Sequence, residues 1–454
     1  NITKFFQFES KSIIRYLFRK RGKNMKVALI SPEYYDIAHF GVKRKEIPPF
    51  GVLYLAAVIE QKGVEVTLYR VSNEKFILNL QDFDIVGFSI SSSVTYSILK
   101  KVRDNSQFKK QALLVAGGIH TTIFPEDVIN DLNVDIACVG EGENTIAEIL
   151  DAYSENSFDT IDGIVYKDKL SGEMVYTSKR KLIKDLDKIP FPARHLLPLD
   201  EIIMNDRLSD TDLPIAHILC SRGCPYSCNF CANQEHGIRY RTGANIKKEL
   251  EFLIENYGIK GFCITDDNFI VDKKRIEDIC NEITPLKLKW SSLSRVNTVD
   301  EELLKKLKQS GCIEIKYGIE SGSPRILKLM NKRITIDQIR NAISLTHEIG
   351  IKVKAFILHG FPGENMETTK ETIQLLEELK EKIDRISLFR FVPLPGSPVY
   401  NEAEKYDLSL PKNFEEIFIY NNERKWWGTK EEQEELECAY KLLEDYVRNN
   451  WEKY

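Results

Sequence analysis

No long apolar run occurs in this sequence: its hydrophobic stretches stop well short of the 18 or more residues a membrane-spanning helix needs. A bundle of membrane helices is thereby excluded. Residues 1–24 also lack the apolar core and small-residue cleavage site of a secretory signal, which predicts a cytosolic location. A dominant charge is missing too: 64 Lys and Arg stand against 68 Asp and Glu, a formal net charge of −4, without the electrostatic footprint of a nucleic-acid binder. Cysteines are few and odd in number. Of nine, Cys220, Cys224, Cys228 and Cys231 crowd together, while Cys138, Cys263, Cys280, Cys312 and Cys438 stand singly. That distribution excludes a disulfide framework and reads as metal ligands. What remains is the composition of an ordinary folded chain, 43% hydrophobic and 29% charged. Its 454 residues, at roughly 150 per domain, allow two to three domains.

Residues 1–24 carry seven basic side chains, one acid and interspersed phenylalanines, and Met25 opens what looks like a domain start. This arm is either a loose leader or a weak contact for a membrane surface or partner. From 26 to 156, apolar β-runs such as KVALISP, DIVGFSIS and LLVAGG alternate with helical stretches, which predicts a doubly wound, Rossmann-like α/β domain with a parallel sheet. Ligands of such sheets bind beyond the carboxyl ends of the strands. That rim would carry Ser89 and Ser91, Gly117, Gly118 and His120, and Glu141 and Gly142, in loops rich in Gly or Ser. Residues 157–199 contain two β-like runs around the turn Leu170-Ser171-Gly172 (GIVYKDKLSGEMVYTS), then the proline-punctuated IPFPARHLLP, and read as a connector. A second βα series follows over 200–400, with strands expected at 215–221, 260–266, 287–295, 312–319, 352–360 and 385–392. Six βα units predict a partial (β/α)6 barrel with its chemistry at the carboxyl ends of the strands. Residues 401–454 read as a small helical cap, with Thr429 and Glu432 as a capping box. There Arg424, Lys425, Trp426 and Trp427 either line a substrate entrance or pack the cap.

Cys224, Cys228 and Cys231 directly follow the first expected barrel strand. Three thiolates from one short loop can hold three irons of a [4Fe–4S] cube, leaving the fourth iron open for substrate or cofactor. The alternative is a zinc knot that also uses Cys220, although such sites usually draw paired knuckles from separate segments.

This CxxxCxxC loop at the head of six βα units resembles the radical S-adenosylmethionine (SAM) superfamily. The resemblance extends through GFCITDDNF (261–269), KYGIESGS (316–323), LHGFPGE (358–364) and FVPLPGSPVY (391–400). It implies that SAM chelates the fourth iron and is cleaved to a 5′-deoxyadenosyl radical. Asp266 and Asp267, poor strand formers at a strand end, would hold the SAM ammonium or cap the helix starting near Asp272. Glu320 would accept from the ribose or pair with Arg325, and Arg295 would grip a carboxylate or form a surface ion pair. Gly360, Pro362 and Gly363 would bring backbone near the adenine or form a simple βα turn; Phe230 would cover the adenine or shield the cluster.

PPFGVLYLAAVIE (48–60), VAGGIHTTIFPED (115–127) and ACVGEGENT (137–145) resemble the amino-terminal half of the cobalamin-binding radical SAM subfamily. The rim would then cradle the corrin. No Asp-x-His-x-x-Gly supplies a lower histidine ligand, and His120 would serve as a ligand or as a loop hydrogen-bonding group. The resemblance implies a cobalamin-dependent methyltransferase acting on an unactivated carbon of a small-molecule, lipid or peptide substrate, with an electron donor such as flavodoxin or ferredoxin. Cyclisation or rearrangement, with or without cobalamin, is the alternative.

Overall fold

The computed structural model describes residues 25–451 except 34–35, 38–42, 45–46, 73–74, 156, 207–212, 234–236, 412–413, 415–416 and 418–423. The basic arm therefore lies outside the described residues. The chain forms two compact units, one made chiefly of residues up to Pro198 and the other chiefly of Leu199 onward.

The first unit is built on strands β1 (Lys26–Pro32), β2 (Glu65–Val71), β3 (Ile85–Ser89), β4 (Leu113–Gly117) and β5 (Ile136–Cys138), all parallel in the order β2-β1-β3-β4-β5. Their apolar runs are buried on both faces because helices α1 (Phe50–Gln61), α2 (Tyr96–Asn105), α3 (Pro125–Leu132) and α4 (Gly142–Ala152) cover the sheet. The connector's two expected β-like runs are β6 (Ile164–Lys167) and β7 (Met174–Tyr176), an antiparallel hairpin that extends this sheet beyond β5. Strand order reverses between β1 and β3, so the crevice for a ligand opens at the ends of these two strands. Ser89–Ser93 borders it directly.

The second unit holds β8 (Met204–Asp206), antiparallel at one edge, then the six parallel strands β9 (Leu213–Ile218), β12 (Gly261–Ile264), β13 (Lys289–Ser294), β14 (Cys312–Glu320), β15 (Lys352–His359) and β16 (Arg385–Arg390). Short β10 (Ser221–Arg222) and β11 (Arg239–Tyr240) pair with each other as a ribbon. This is the expected half-barrel, its strands within a few residues of their expected bounds. Helices α5 (Gly243–Tyr257), α6 (Lys273–Ile283), α7 (Glu301–Gln309), α8 (Pro324–Leu329), α9 (Ile336–Glu348) and α10 (Met366–Glu378) connect the strands. Thr242, Asp272, Asp300 and Thr335 each accept from an amide in the first turn of the helix they cap. The helix-facing side of the sheet, including Ala216, Phe262, Trp290, Tyr317 and Val353, is the core. The final helix α11 (Lys430–Trp451) opens with the expected box, Thr429 N–H donating to Glu432 (2.7 Å) and Glu432 N–H to Thr429 Oγ1 (3.3 Å). It buries Leu436, Ala439, Tyr440 and Leu443. No helix among the described residues is long and apolar enough to cross a membrane.

Candidate functional site

The three cysteines lie in the loop joining β10 to β11, a ribbon raised on the end of β9. Its base is bolted to the barrel. Asp266, 1% exposed at the end of β12, accepts from Cys220 N–H (2.6 Å) and from the Ser221 hydroxyl. Cys220 C=O in turn accepts from Arg275 Nη2 (2.8 Å) and Arg241 N–H (3.0 Å), while Arg241 reaches Leu219 C=O (2.7 Å) and forms a buried pair with Glu249. Cys220 itself is fully buried in the helix-facing core, away from the tip, and burial holds its thiol well above the usual range. It is not poised as a fourth ligand.

At the tip, Asn229 N–H donates to Met330 C=O (2.9 Å), Asn229 Nδ2 to Leu329 C=O (2.7 Å), and Asn331 Nδ2 to Ser227 C=O (2.7 Å). Arg295 stacks on Tyr226 (3.9 Å to the ring centre), donates Nη1 to Cys228 Sγ (3.4 Å) and donates Nη2 to Lys332 C=O. A cation on a sulfur that carries negative charge as a cluster ligand is a charge-assisted contact. Buried at 6% exposure, Arg295 is no surface salt bridge. Among the described residues no three Cys, His, Asp or Glu side chains gather as ligands of one ion. A cube spreads its cysteines over separate irons, so its thiolates stand farther apart than ligands that share one ion.

Segment 329–333 is the part of this site that sequence reasoning missed. Asn331 and Arg333 adopt left-handed backbone (φ 51° and 54°), and Lys332 between them is buried. Lys332 Nζ pairs with Glu320 (2.7 Å) and lies 5.6 Å from the Phe230 ring centre. Glu320 also has a left-handed backbone (φ 63°), at a register shift near the end of β14. Such strain in a residue other than glycine concentrates at functional sites. Arg325, the alternative partner expected for Glu320, instead donates to Gly363 C=O (2.6 Å). Asp267 is exposed beside the buried Asp266, and neither caps α6, whose N-cap is Asp272. Phe230 packs with Met330, Phe361 and Phe391.

Gly360 and Gly363 both have positive φ (98° and 93°), with Pro362 buried between them. Glu364, also not singled out from sequence, accepts from Gly360 N–H (2.5 Å). Burial pushes its carboxyl up to about 8. The aromatic patch of the cap packs inward: Trp426 is buried, Trp427 Nε1 donates to Gly360 C=O (2.8 Å), and Lys425 pairs with Glu437.

On the first unit's rim, Ser91 and Gly140 are exposed, Ser89, Gly117 and Gly142 half-buried. Gly118 (φ 111°) is demanded by packing, since a Cβ there would lie 2.4 Å from Ile90 C=O. Gly142 similarly abuts Leu55 at the start of α4. Glu141 is buried and accepts from Ile183 N–H (2.7 Å). His120 corrects the expectation of a ring standing on the rim. It is 1% exposed, bonded through Nδ1 to Ser93 Oγ (2.9 Å), with Tyr96 and Phe124 at 4.5 and 5.2 Å between ring centres. Burial lowers its pKa to about 4, so the ring is neutral and belongs to the loop. Ile119 beside it is 53% exposed, and nothing lies within 4 Å of a Cβ built on Gly140. An open rim with an exposed apolar side chain fits a flat, largely apolar macrocycle.

A half-barrel with three cysteines on a loop after its first strand, and a β2-β1-β3-β4-β5 sheet before it, defines a SAM-cleaving iron–sulfur enzyme with a nucleotide- or corrin-type amino-terminal domain. The Radical SAM superfamily profile matches residues 218–376, and the B12 binding domain profile residues 41–150. An uncharacterized methyltransferase of Pyrococcus horikoshii is 32% identical over 405 residues, covering 86% of each chain. The cytidylyl-2-hydroxyethylphosphonate methyltransferase of Streptomyces wedmorensis is 26% identical over 416 residues, covering 78% of this chain and 77% of its own. Among solved structures, the radical SAM methyltransferase TsrM of Kitasatospora setae, with cobalamin and a [4Fe–4S] cluster bound, shares the fold at a TM-score of 0.65 and 20% identity over 84% of this chain and 75% of its own. The cobalamin-dependent SAM radical enzyme OxsB, with aqua-cobalamin and SAM bound, aligns at 0.71 and 17% identity over 92% of this chain and 66% of its own. The chain belongs to the cobalamin-binding radical SAM enzymes. Its cofactors are a [4Fe–4S] cluster, SAM and cobalamin.

Proposed function

We propose that this enzyme methylates an unactivated carbon of a small-molecule substrate. The observation that carries the reading is the architecture of the cysteine loop, whose tip is clamped between Arg295 and segment 329–333 while its base is fixed by Asp266. Cys224, Cys228 and Cys231 would hold the cluster. When bound, the cluster and SAM supply a hydrogen-abstracting radical, and cobalamin supplies the methyl group. The protein's part is to position and to exclude water. Arg295, already on Cys228 Sγ, steadies the ligand sulfur. Asp267 is the exposed acid left for the SAM ammonium, because Asp266 is engaged in holding Cys220 and Ser221. Glu320, kept in place by Lys332, would accept from the ribose, Phe230 would shield the cluster, and Gly360 to Gly363 would lie at the adenine. Ser91, Ile119 and Gly140 would meet the corrin on the first unit's rim. An electron donor of the flavodoxin or ferredoxin type would reduce the cluster.

Methyl transfer is supported over cyclisation by the relative at 32% identity, which is named a methyltransferase, whereas the relatives named magnesium-protoporphyrin IX monomethyl ester cyclases stand at 26% and below. The test needs no substrate: anaerobically reconstituted enzyme is given a reductant and SAM with a trideuterated methyl group. About four irons, as one cube requires, with one cobalt per chain, 5′-deoxyadenosine release and label on the cobalamin are expected. Deoxyadenosine without label on cobalamin would refute methyl transfer.

A further inference from the structure

β13 ends at Ser294, and Arg295 leads from it into a short 3-10 turn over Val296–Thr298. The backbone is pinned there, because Arg295 C=O accepts from Thr298 Oγ1 (2.8 Å) and Ser294 Oγ (3.3 Å). From that fixed point the side chain reaches into the cysteine loop. Its Cζ stands 3.9 Å from the ring centre of Tyr226, two residues before Cys228. Each of its three nitrogens donates to the protein: Nε to Asn297 Oδ1 (3.4 Å), Nη2 to Lys332 C=O and Nη1 to Cys228 Sγ (3.4 Å). The fork expected for a carboxylate is thus turned to the chain's own atoms.

Two of these partners, an amide oxygen and a carbonyl, are neutral. The third is a sulfur that carries negative charge once Cys228 is a cluster ligand. Both sides of this contact are withdrawn from water, at 6% exposure for Arg295 and 7% for Cys228, and the Tyr226 ring covers the guanidinium. Charge acts strongly over so short a distance in so dry a place. Reduction adds one electron to a cube that its thiolates have already made anionic, and net charge and hydrogen bonds to the sulfurs set how readily it is taken up. A fixed cation on Cys228 Sγ favours the reduced form. The guanidinium keeps its proton throughout, so none of its protons follows the electron.

We propose that Arg295 poises the cluster for reduction: its charge on Cys228 Sγ raises the reduction potential, and the side chain does not hold the SAM carboxylate. Arg295 is a positioning residue, acting through the ligand sulfur. The electron itself comes from the donor of the flavodoxin or ferredoxin type. The inference rests on the reading of Cys224, Cys228 and Cys231 as cluster ligands and is independent of methyl transfer.

Potentiometric titration of the reconstituted holoenzyme without SAM, followed by the paramagnetic signal of the reduced cluster, tests it in wild type, Arg295→Met, Arg295→Gln and Arg295→Lys. The two neutral variants should hold about four irons, as wild type does. Their ratio of reduced to oxidised cluster at a given potential should be at least about tenfold lower, a fall of about 59 mV for one electron. Arg295→Lys keeps the charge and should recover at least about half of that fall. Calorimetric titration with SAM should give affinities within about threefold of wild type in all three, whereas loss of a carboxylate fork costs about tenfold or more. A merely structural role would lower iron content or melting temperature and leave the potential of the remaining clusters where it was. An unmoved potential in both neutral variants, a Lys variant no better than they are, a loss of SAM affinity of about tenfold, or no cluster in either neutral variant would each overturn the proposal. Wild type that takes up no cluster would remove the ligand reading and this one together. Wild type with iron, deoxyadenosine release and labelled cobalamin, beside unmoved potentials in the variants, removes only this inference.

Discussion

Asp266 offers the sharpest test of how the cysteine loop is held. The carboxylate is 1% exposed, accepts from Cys220 N–H and the Ser221 hydroxyl, and is pushed by burial from 3.8 up to about 6. A rise of two units corresponds to about 3 kcal/mol between the protonated and ionised forms. Because the folded value exceeds the unfolded one, the folded apoprotein keeps a proton that the unfolded chain has already released between about pH 4 and pH 6. The contribution to stability is therefore complete below pH 4 and is lost as pH rises through 6. Asp266→Asn retains an acceptor for Cys220 without the charge, so its stability relative to wild type should improve by about 3 kcal/mol between pH 4 and pH 7. Asp266→Ala loses both hydrogen bonds and should cost about 2–4 kcal/mol at pH 4. Urea unfolding followed by tryptophan fluorescence measures this selectively, since Trp290, Trp426, Trp427 and Trp451 all lie in the second unit. If the difference between Asn and wild type does not change with pH, or if Asn is as destabilised as Ala at pH 7, the neutral carboxyl is not what the fold prefers and the reasoning fails.

Cys224→Ala, Cys228→Ala and Cys231→Ala should each lose most of the iron on reconstitution, whereas Cys220→Ala, whose thiol lies in the core, should retain it; iron and sulfide analysis reads both. Lys332→Met leaves Glu320 mostly buried without its partner and should cost about 3–5 kcal/mol. Adding Glu320→Gln should recover much of that loss, and strictly additive urea midpoints would show that the pair is uncoupled. Glu364, with its carboxyl near 8, keeps a proton at neutral pH that the unfolded chain gives up near 4.5. Its stabilisation fades as pH climbs through 8, so Glu364→Gln should gain on wild type from pH 5 to pH 8.

The strands were legible because buried parallel strands are written as uninterrupted apolar runs, and KVALISP and LLVAGG could be little else. The two runs of the β6–β7 hairpin and the turn between them were legible, but their place at the edge of the first sheet was not, because IVYK and MVY are short and half polar; an antiparallel edge pair needs only one buried face. The cysteine ligands were legible from spacing, since they come from a single loop. Lys332 was not, because it sits twelve residues from Glu320 and meets it only when the chain after α8 turns back through two left-handed residues. For His120 the sequence left a ligand and a loop hydrogen-bonding group open, and the ring turns inward onto Tyr96 and Phe124 and bonds Ser93 as a loop group.

A charged row in the lumen of the half-barrel, Lys316, Lys354 and Arg385, was invisible for a more general reason. In EIKYG, KVKAF and RISLF the charges alternate with apolar residues, which ordinarily means a strand with one face in water. Nothing in the period distinguishes water from a cavity. Only the register between strands brings Lys316, Lys354 and Arg385 side by side, and only the curl of the half-barrel turns their face inward. A solvent-facing row of this kind would cost little, because water screens it. Enclosed, the row meets Glu314 and Cys263 of the chain in place of water.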